Sequence, residues 1–183
     1  MKWMDDGGHC YLCPVSTVAS ILLGADGSTS KDGNSRALST PTDRARFLEF
    51  RRSADVIVVG GATARAENYS QTPIPVVIVS HQQPDVIGVN PRAIWWNTSP
   101  LQAVIKARIE FGERVHIEGG TAFLIPLLEY GCIDQLRVSV SPVTQGSHKV
   151  ALQDLTSYFF EVVKEQVDET YFYTCSKPTV MQK

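Results

Sequence analysis

The segment "VHIEGGTAFL", Val115 to Leu124, joins an apolar run to a helical pattern through two adjacent glycines. An earlier segment, "VIVVGGATAR", Val56 to Arg65, repeats the device, and a threonine follows both glycine pairs. Glycine carries an entropic cost, so paired glycines imply a tight corner or space for a ligand. A strand that enters a helix this way presents free backbone N–H groups at the positive end of a helix dipole, and such a turn favours an anion.

Outward from these turns, strand and helix signals alternate, which points to α/β layering. "VSTVASILL" (Val15–Leu23) reads as a buried first strand, and Gly24–Ser39, rich in Gly, Ser and Asp, as a long loop. Loops of that length in a compact domain are often functional. A helix follows: Thr40 is the N-cap, Pro41 suits the first helical position, and Asp43 stands where a capping-box acid belongs. Asp55–Val59, Pro75–Ser80 and Ala93–Asn97 read as further strands. Ser99, Pro100 and Gln102 repeat the helix-start signal, and Gly112 stops that helix. Arg114–Glu118 is a strand, Thr121–Tyr130 a helix, Ile133–Val143 an alternating strand. "YFFEVVKEQ" and "ETYFYTC" form a closing antiparallel pair. The Trp95-Trp96 pair is read either as exposed or as core. The composite is a mostly parallel central sheet with helices on both faces and a C-terminal antiparallel strand pair.

The 183 residues suit one domain, with residues 1–14 as a loosely ordered extension. The chain is 43% hydrophobic and 20% charged, with a formal net charge of −2. That balance gives no basic field for nucleic acid or an anionic membrane, and no apolar run reaches the roughly 18 residues of a membrane span. The four cysteines do not form a disulfide framework, so a cytoplasmic location is expected. His9, Cys10 and Cys13 have half of a zinc spacing; no second ligand pair follows, and incidental cysteines with no bound metal are expected.

Ligands of open α/β sheets bind outside the carboxyl ends of the strands. Both glycine turns fall there, so together they could seat one pyrophosphate. Neither matches G-x-G-x-x-G, which argues against a standard dinucleotide-binding unit. Two tight corners without a ligand explain the same residues.

In order along the chain, Asp26-Gly27, "DGNSRALSTPTDR" (Asp32–Arg44), "FRRSADVIVVGGATARAE" (Phe50–Glu67), "HIEGGTAFL" and "GCIDQLRVSVSPVTQG" (Gly131–Gly146) resemble the reductase domain of riboflavin biosynthesis. The resemblance implies a dihydrofolate reductase-like fold and a homodimer. It also implies NADPH-dependent reduction of a phosphoribosylamino-pyrimidine, in which the sugar C1 takes a hydride. In such an enzyme the cofactor supplies the chemistry and the protein supplies orientation and electrostatics.

By the same resemblance, Gly60, Gly61, Thr63 and Glu67 belong to the first cofactor turn, with Glu67 in place of the more usual Asp. Gly119, Gly120 and Thr121 belong to the second, and Ser80 is a further cofactor contact. Asp26, Ser35, Arg51 and Glu118 are expected on the substrate side, and Glu118 is the one with few structural duties to explain it. Three departures stand out. Gly24 replaces a serine before the Asp-Gly turn, and Ala37 replaces an aromatic. The stretch "ENYSQTPIP" (Glu67–Pro75) lacks the arginine that holds the substrate phosphate, for which Lys31, Arg36 or Arg65 could compensate. A pterin reductase, with Asp43 as the pterin-binding acid, and a non-catalytic nucleotide-binding homologue are the alternatives.

Overall fold

The computed structural model describes residues 17–179. The predicted residues 15 and 16 of the first strand, the extension 1–14, and His9, Cys10 and Cys13 lie outside the described residues.

Among the described residues there are ten strands and five α-helices, and eight of the strands are those the sequence pattern predicts. The strands are β1 (Thr17–Gly24), β2 (Ser28–Ser30), β3 (Val56–Gly60), β4 (Val76–Val79), β5 (Ala93–Trp96), β6 (Val115–Glu118), β7 (Gln135–Ser141), β8 (Ser147–Lys149), β9 (Phe159–Val167) and β10 (Thr170–Pro178). The helices are α1 (Pro41–Ser53), α2 (Gly61–Ala66), α3 (Pro100–Glu110), α4 (Thr121–Glu129) and α5 (Leu152–Thr156). The main sheet has the order β5-β4-β3-β6-β1-β7-β10-β9. Its first six strands run parallel, β10 pairs antiparallel with β7, and β9 pairs antiparallel with β10.

Short strands buried on both faces explain the near-continuous apolar runs. One face carries Val56, Val58, Val115 and Ile117 against Ala103, Val104 and Ala107 of α3 and Leu124, Leu127 and Leu128 of α4. The other carries Ile57, Val59, Val76 and Ile78 with Ala64 of α2 and Tyr69. Trp96 is core, stacked near Phe111, and Trp95 is half-buried with its indole N–H on the Ser80 carbonyl.

The caps follow the sequence. The Thr40 hydroxyl accepts from the Asp43 N–H, and the Ser99 hydroxyl accepts from the Gln102 N–H. The Asp43 carboxylate takes the Ser39 hydroxyl at 2.5 Å. The predicted 24–39 loop is more ordered than expected. β2 within it pairs with β8 as a small flap, and Arg36–Leu38 form a 3-10 turn. Neither β8 nor α5 has an apolar period long enough to be read from sequence.

Candidate functional site

Along β6, side chains alternate between the two covered faces. Val115 and Ile117 enter one core, so His116 and Glu118 point to the other, in register with Ile57 and Val59 of β3. Two ionisable groups therefore stand inside the sheet, beside aliphatic neighbours on β3 and Val18 and Ser20 on β1. α1 covers them with Phe47 and Phe50, both edge-on to the His116 ring.

The helix also supplies the counter-charge. Arg51 Nε donates to Glu118 Oε1 at 2.7 Å and Arg51 Nη2 to Oε2 at 2.6 Å. The Tyr69 hydroxyl donates to Oε2 at 2.7 Å. His116 Nδ1 stands 3.4 Å from Oε1, and His116 Nε2 lies 2.9 Å from the Ser20 hydroxyl on β1. Exposure is 6% for Arg51, 3% for Glu118, 3% for Tyr69 and 1% for His116. The Arg51 guanidinium lies 4.4 Å from the Phe47 ring centroid and 5.1 Å from that of Tyr69.

The electrostatics follow from burial and pairing. Burial opposes the Arg51 charge, but the hydrogen bonds and charge of Glu118 outweigh it and raise its pKa. Burial, reinforced by the Glu118 charge, holds the Tyr69 hydroxyl protonated well above the usual tyrosine range. Burial pushes His116 below its usual value; Glu118 opposes that shift and Arg51 adds to it.

Glu118 thus has structural duties that its sequence context conceals, because its partners lie 67 and 49 residues away.

The two glycine turns differ in why they need glycine. A Cβ on Gly61 would stand 2.5 Å from Ser80 Cβ, and one on Gly60 3.0–3.1 Å from the Phe123 side chain. Strand-to-helix packing therefore explains that pair. Gly120 has φ −70° and ψ 170°, which any residue adopts, and its added Cβ would meet nothing closer than Thr63 Oγ1 at 3.9 Å. Gly119 leaves ordinary contact distance, 3.5 Å, to Phe123. Neither chain geometry nor packing requires glycine at 120, and the space beside it is what a closely approaching ligand would use. The Gly120 N–H donates to Thr63 Oγ1 at 3.0 Å, which ties the two turns together.

The remaining predicted residues fall into separate places. Glu67 reaches across to accept the Ser35 N–H at 2.6 Å, anchoring the loop that carries Ser35 to the end of α2. Ser80 donates its hydroxyl to the Gln82 carbonyl. Thr121 opens α4. Asp26 lies in the β2–β8 flap: it accepts from the Ser28 hydroxyl and the Gln145 N–H and pairs with Lys149 at 2.9 Å. Lys149 first, then Ser28, hold its carboxyl below the usual range. Among the residues of this group, Glu67 and Ser35 pair with each other, whereas none of Asp26's partners is another predicted site residue.

The stretch without an arginine contributes Tyr69, whose role no local pattern reveals. Arg92, just before β5, braces that loop by donating to the Thr72 and Pro73 carbonyls. Lys31 Nζ is used by the Thr144 carbonyl, while Arg65 Nη1 lies 3.2 Å from where a Cβ on Gly61 would stand. His116 and Ser20 were also missed. The signal available for His116 was a histidine inside a strand whose other neighbours are apolar. Among the described residues no group of three or more His, Cys, Asp or Glu is placed to hold a metal, and no helix is long and apolar enough to cross a membrane.

Solved structures with a similar fold include three that are 14% to 20% identical to this chain. A pyrimidine reductase-like protein from Corynebacterium diphtheriae is 20% identical, with a TM-score of 0.66 over 90% of this chain and 95% of that one. A diaminohydroxyphosphoribosylaminopyrimidine deaminase/5-amino-6-(5-phosphoribosylamino)uracil reductase from Thermotoga maritima is 14% identical, with a TM-score of 0.67 over 89% of this chain and 56% of that one. Acinetobacter baumannii RibD is 15% identical, with a TM-score of 0.67 over 89% and 58%. This chain thus spans a little over half of the latter two. At these identities the likeness concerns the fold. Curated protein sequences yield no match. The model of the RibD C-terminal domain, however, matches residues 17–167, from the start of β1 to the end of β9, and the chain belongs to that family.

Proposed function

We propose that the protein is an NADPH-dependent reductase that acts on a phosphoribosylamino-pyrimidine, as the uracil reductase of riboflavin biosynthesis does. The observation that carries this reading is the glycine at position 120, which neither backbone conformation nor packing demands. It is the N-cap of the nine-residue helix α4, two residues beyond the end of the buried strand β6, where a phosphate seat belongs. The matched family and the shared fold support it.

In this reading Gly60, Gly61, Thr63 and Glu67 hold the nucleotide on one side, with Ser80, and Gly119, Gly120 and Thr121 on the other. The nucleotide, when bound, supplies a hydride to the sugar C1. The chain's own residues orient and exclude water. Phe47, Phe50 and Tyr69 wall the Arg51–Glu118 pair away from solvent, which strengthens its field. Arg51, Glu118, Ser35 and Asp26 form the substrate side. Arg65 takes the phosphate that the Glu67–Pro75 stretch cannot hold.

The protein acts as a homodimer in the cytoplasm. Phe160 and Val162, on one face of the edge strand β9, are 77% and 45% exposed, as an unpartnered interface requires.

NADPH oxidation by the purified chain with the phosphoribosylamino-pyrimidine tests the reading. Turnover of dihydrofolate alone would replace it by a pterin reductase using the buried carboxylate of Asp43. NADPH binding without turnover of either substrate would leave a non-catalytic homologue.

A further inference from the structure

We infer that His116 is a positioning residue for Glu118, fixed as the Nδ1–H tautomer, with Nδ1–H directed at Glu118 Oε1 and Nε2 accepting the Ser20 hydroxyl proton. What each ring nitrogen faces sets the tautomer. Nε2 has the Ser20 hydroxyl at 2.9 Å, a group that donates or accepts equally well. Among the described residues the polar neighbour of Nδ1 is Glu118 Oε1, at 3.4 Å, too loosely aligned for a full hydrogen bond. A carboxylate oxygen only accepts. In the Nε2–H tautomer, a lone pair on Nδ1 would face that oxygen in a buried site, and Nδ1 would be unpaired. In the Nδ1–H tautomer the same contact is attractive and Nε2 is satisfied by Ser20.

The charged ring is disfavoured by its surroundings. Phe47 and Phe50 of α1 present their rings at 6.1 and 6.2 Å, so solvent does not reach it. The ionisable groups around it are Glu118 on its own strand and Arg51 on α1, with Tyr69 behind Glu118. Arg137 of β7 and Arg114 line the same pocket of about 290 Å³ beneath the ring. Burial is the largest effect against the charged ring; Glu118 opposes it, Arg51 adds to it, and Arg114 is itself paired with Asp55.

The consequence concerns Glu118. A carboxylate has about four acceptor positions. Arg51 Nε, Arg51 Nη2, the Tyr69 hydroxyl and His116 Nδ1–H supply four donors, from α1, the loop after α2, and β6 itself. Through Ser20, His116 also fastens this acid to β1. Arg51 and Tyr69 grip Glu118 from the helix side, and His116 sets the rotation of the carboxylate plane from the sheet side.

The test begins with the full-length chain labelled with ¹⁵N-histidine and no ligand. Two-bond ¹H–¹⁵N correlation at about pH 7.5, above the usual histidine range, should show a protonated Nδ1 and a bare Nε2 for His116. A protonated Nε2, or a doubly protonated ring at neutral pH, overturns the proposal. The kinetic arm rests on the reductase reading. His116→Leu should lower kcat about tenfold with KM for NADPH unchanged, and His116→Asn, which can place an N–H near the Nδ1 position, should restore most of it. Equal loss in both variants overturns the positioning role. If the wild-type chain shows no reductase activity, that reading fails by itself, and the tautomer measurement still decides the proposal.

Discussion

Arg51 and Glu118 meet through two parallel hydrogen bonds of 2.7 and 2.6 Å, with both side chains over nine-tenths buried. The pair joins the last turn of α1 to the end of β6. Removing one member strands a charge in the interior, whereas removing both removes the desolvation cost as well.

Arg51→Met and Glu118→Leu should therefore each destabilise the fold by about 3–5 kcal/mol. The double variant should be considerably more stable than the sum of the two losses predicts. Urea unfolding of the four proteins measures this coupling, and strict additivity would show that the pair is not an energetic unit.

The glycine turns should respond differently to a single methyl group. Gly61→Ala clashes with Ser80 Cβ and should cost about 1–3 kcal/mol of stability. Gly120→Ala has open space and should leave thermal unfolding unchanged while weakening NADPH binding at least about tenfold. Titration calorimetry with NADPH checks the second effect; wild-type affinity in Gly120→Ala would remove the reason for a phosphate seat there.

Tyr69 donates to a charged acceptor in a dry site, so Tyr69→Phe should cost about 1.5–3 kcal/mol. The same environment gives an alkaline signature. The unfolded tyrosine ionises near pH 10, whereas the folded one stays protonated well above it. The native state then holds more protons, and its stability should fall as pH rises beyond 10. Tyr69→Phe should flatten that limb of a stability–pH profile.

His116 contributes at the acid end with the opposite slope. Its folded pKa lies below the 6.5 of the unfolded chain, so between the two values the unfolded state binds the extra proton. Stability is fully present above about pH 6.5 and declines as pH falls through that window. His116→Leu should abolish this component of the decline, measured by urea midpoints at successive pH values.

The edge strand β9 offers a test of assembly. Sedimentation equilibrium should find a dimer for the wild type and a monomer for Phe160→Glu, whose side chain is 77% exposed and so tolerates the charge within the fold. A monomeric wild type would leave the apolar face of β9 without its proposed partner.

Much of the architecture was legible because it depends on local signals. Thr40 and Ser99 cap as read because N-cap chemistry involves residues only three apart. Gly112 stops its helix as read, and it adopts a positive φ. The flap strands β2 and β8 were not legible, since three polar residues pair across more than a hundred positions and carry no apolar period. At the site, the four residues expected on the substrate side are not one cluster. Arg51 and Glu118 pair with each other, Ser35 is tied to Glu67, and Asp26 is held in the flap.

The amino-acid sequence by itself determined the alternation of strands and helices, their caps, and the two glycine turns, because each follows from hydrophobic period and backbone chemistry within a few residues. It also placed a carboxylate beside the second turn. Only the tertiary structure decided what that carboxylate does. Parallel pairing of β6 between β3 and β1 turns His116 and Glu118 toward α1. The packing of α1 and the loop after α2 then brings Arg51 and Tyr69 onto Glu118. Buried charges must find partners wherever the fold supplies them, and here the partners lie 49 and 67 residues away.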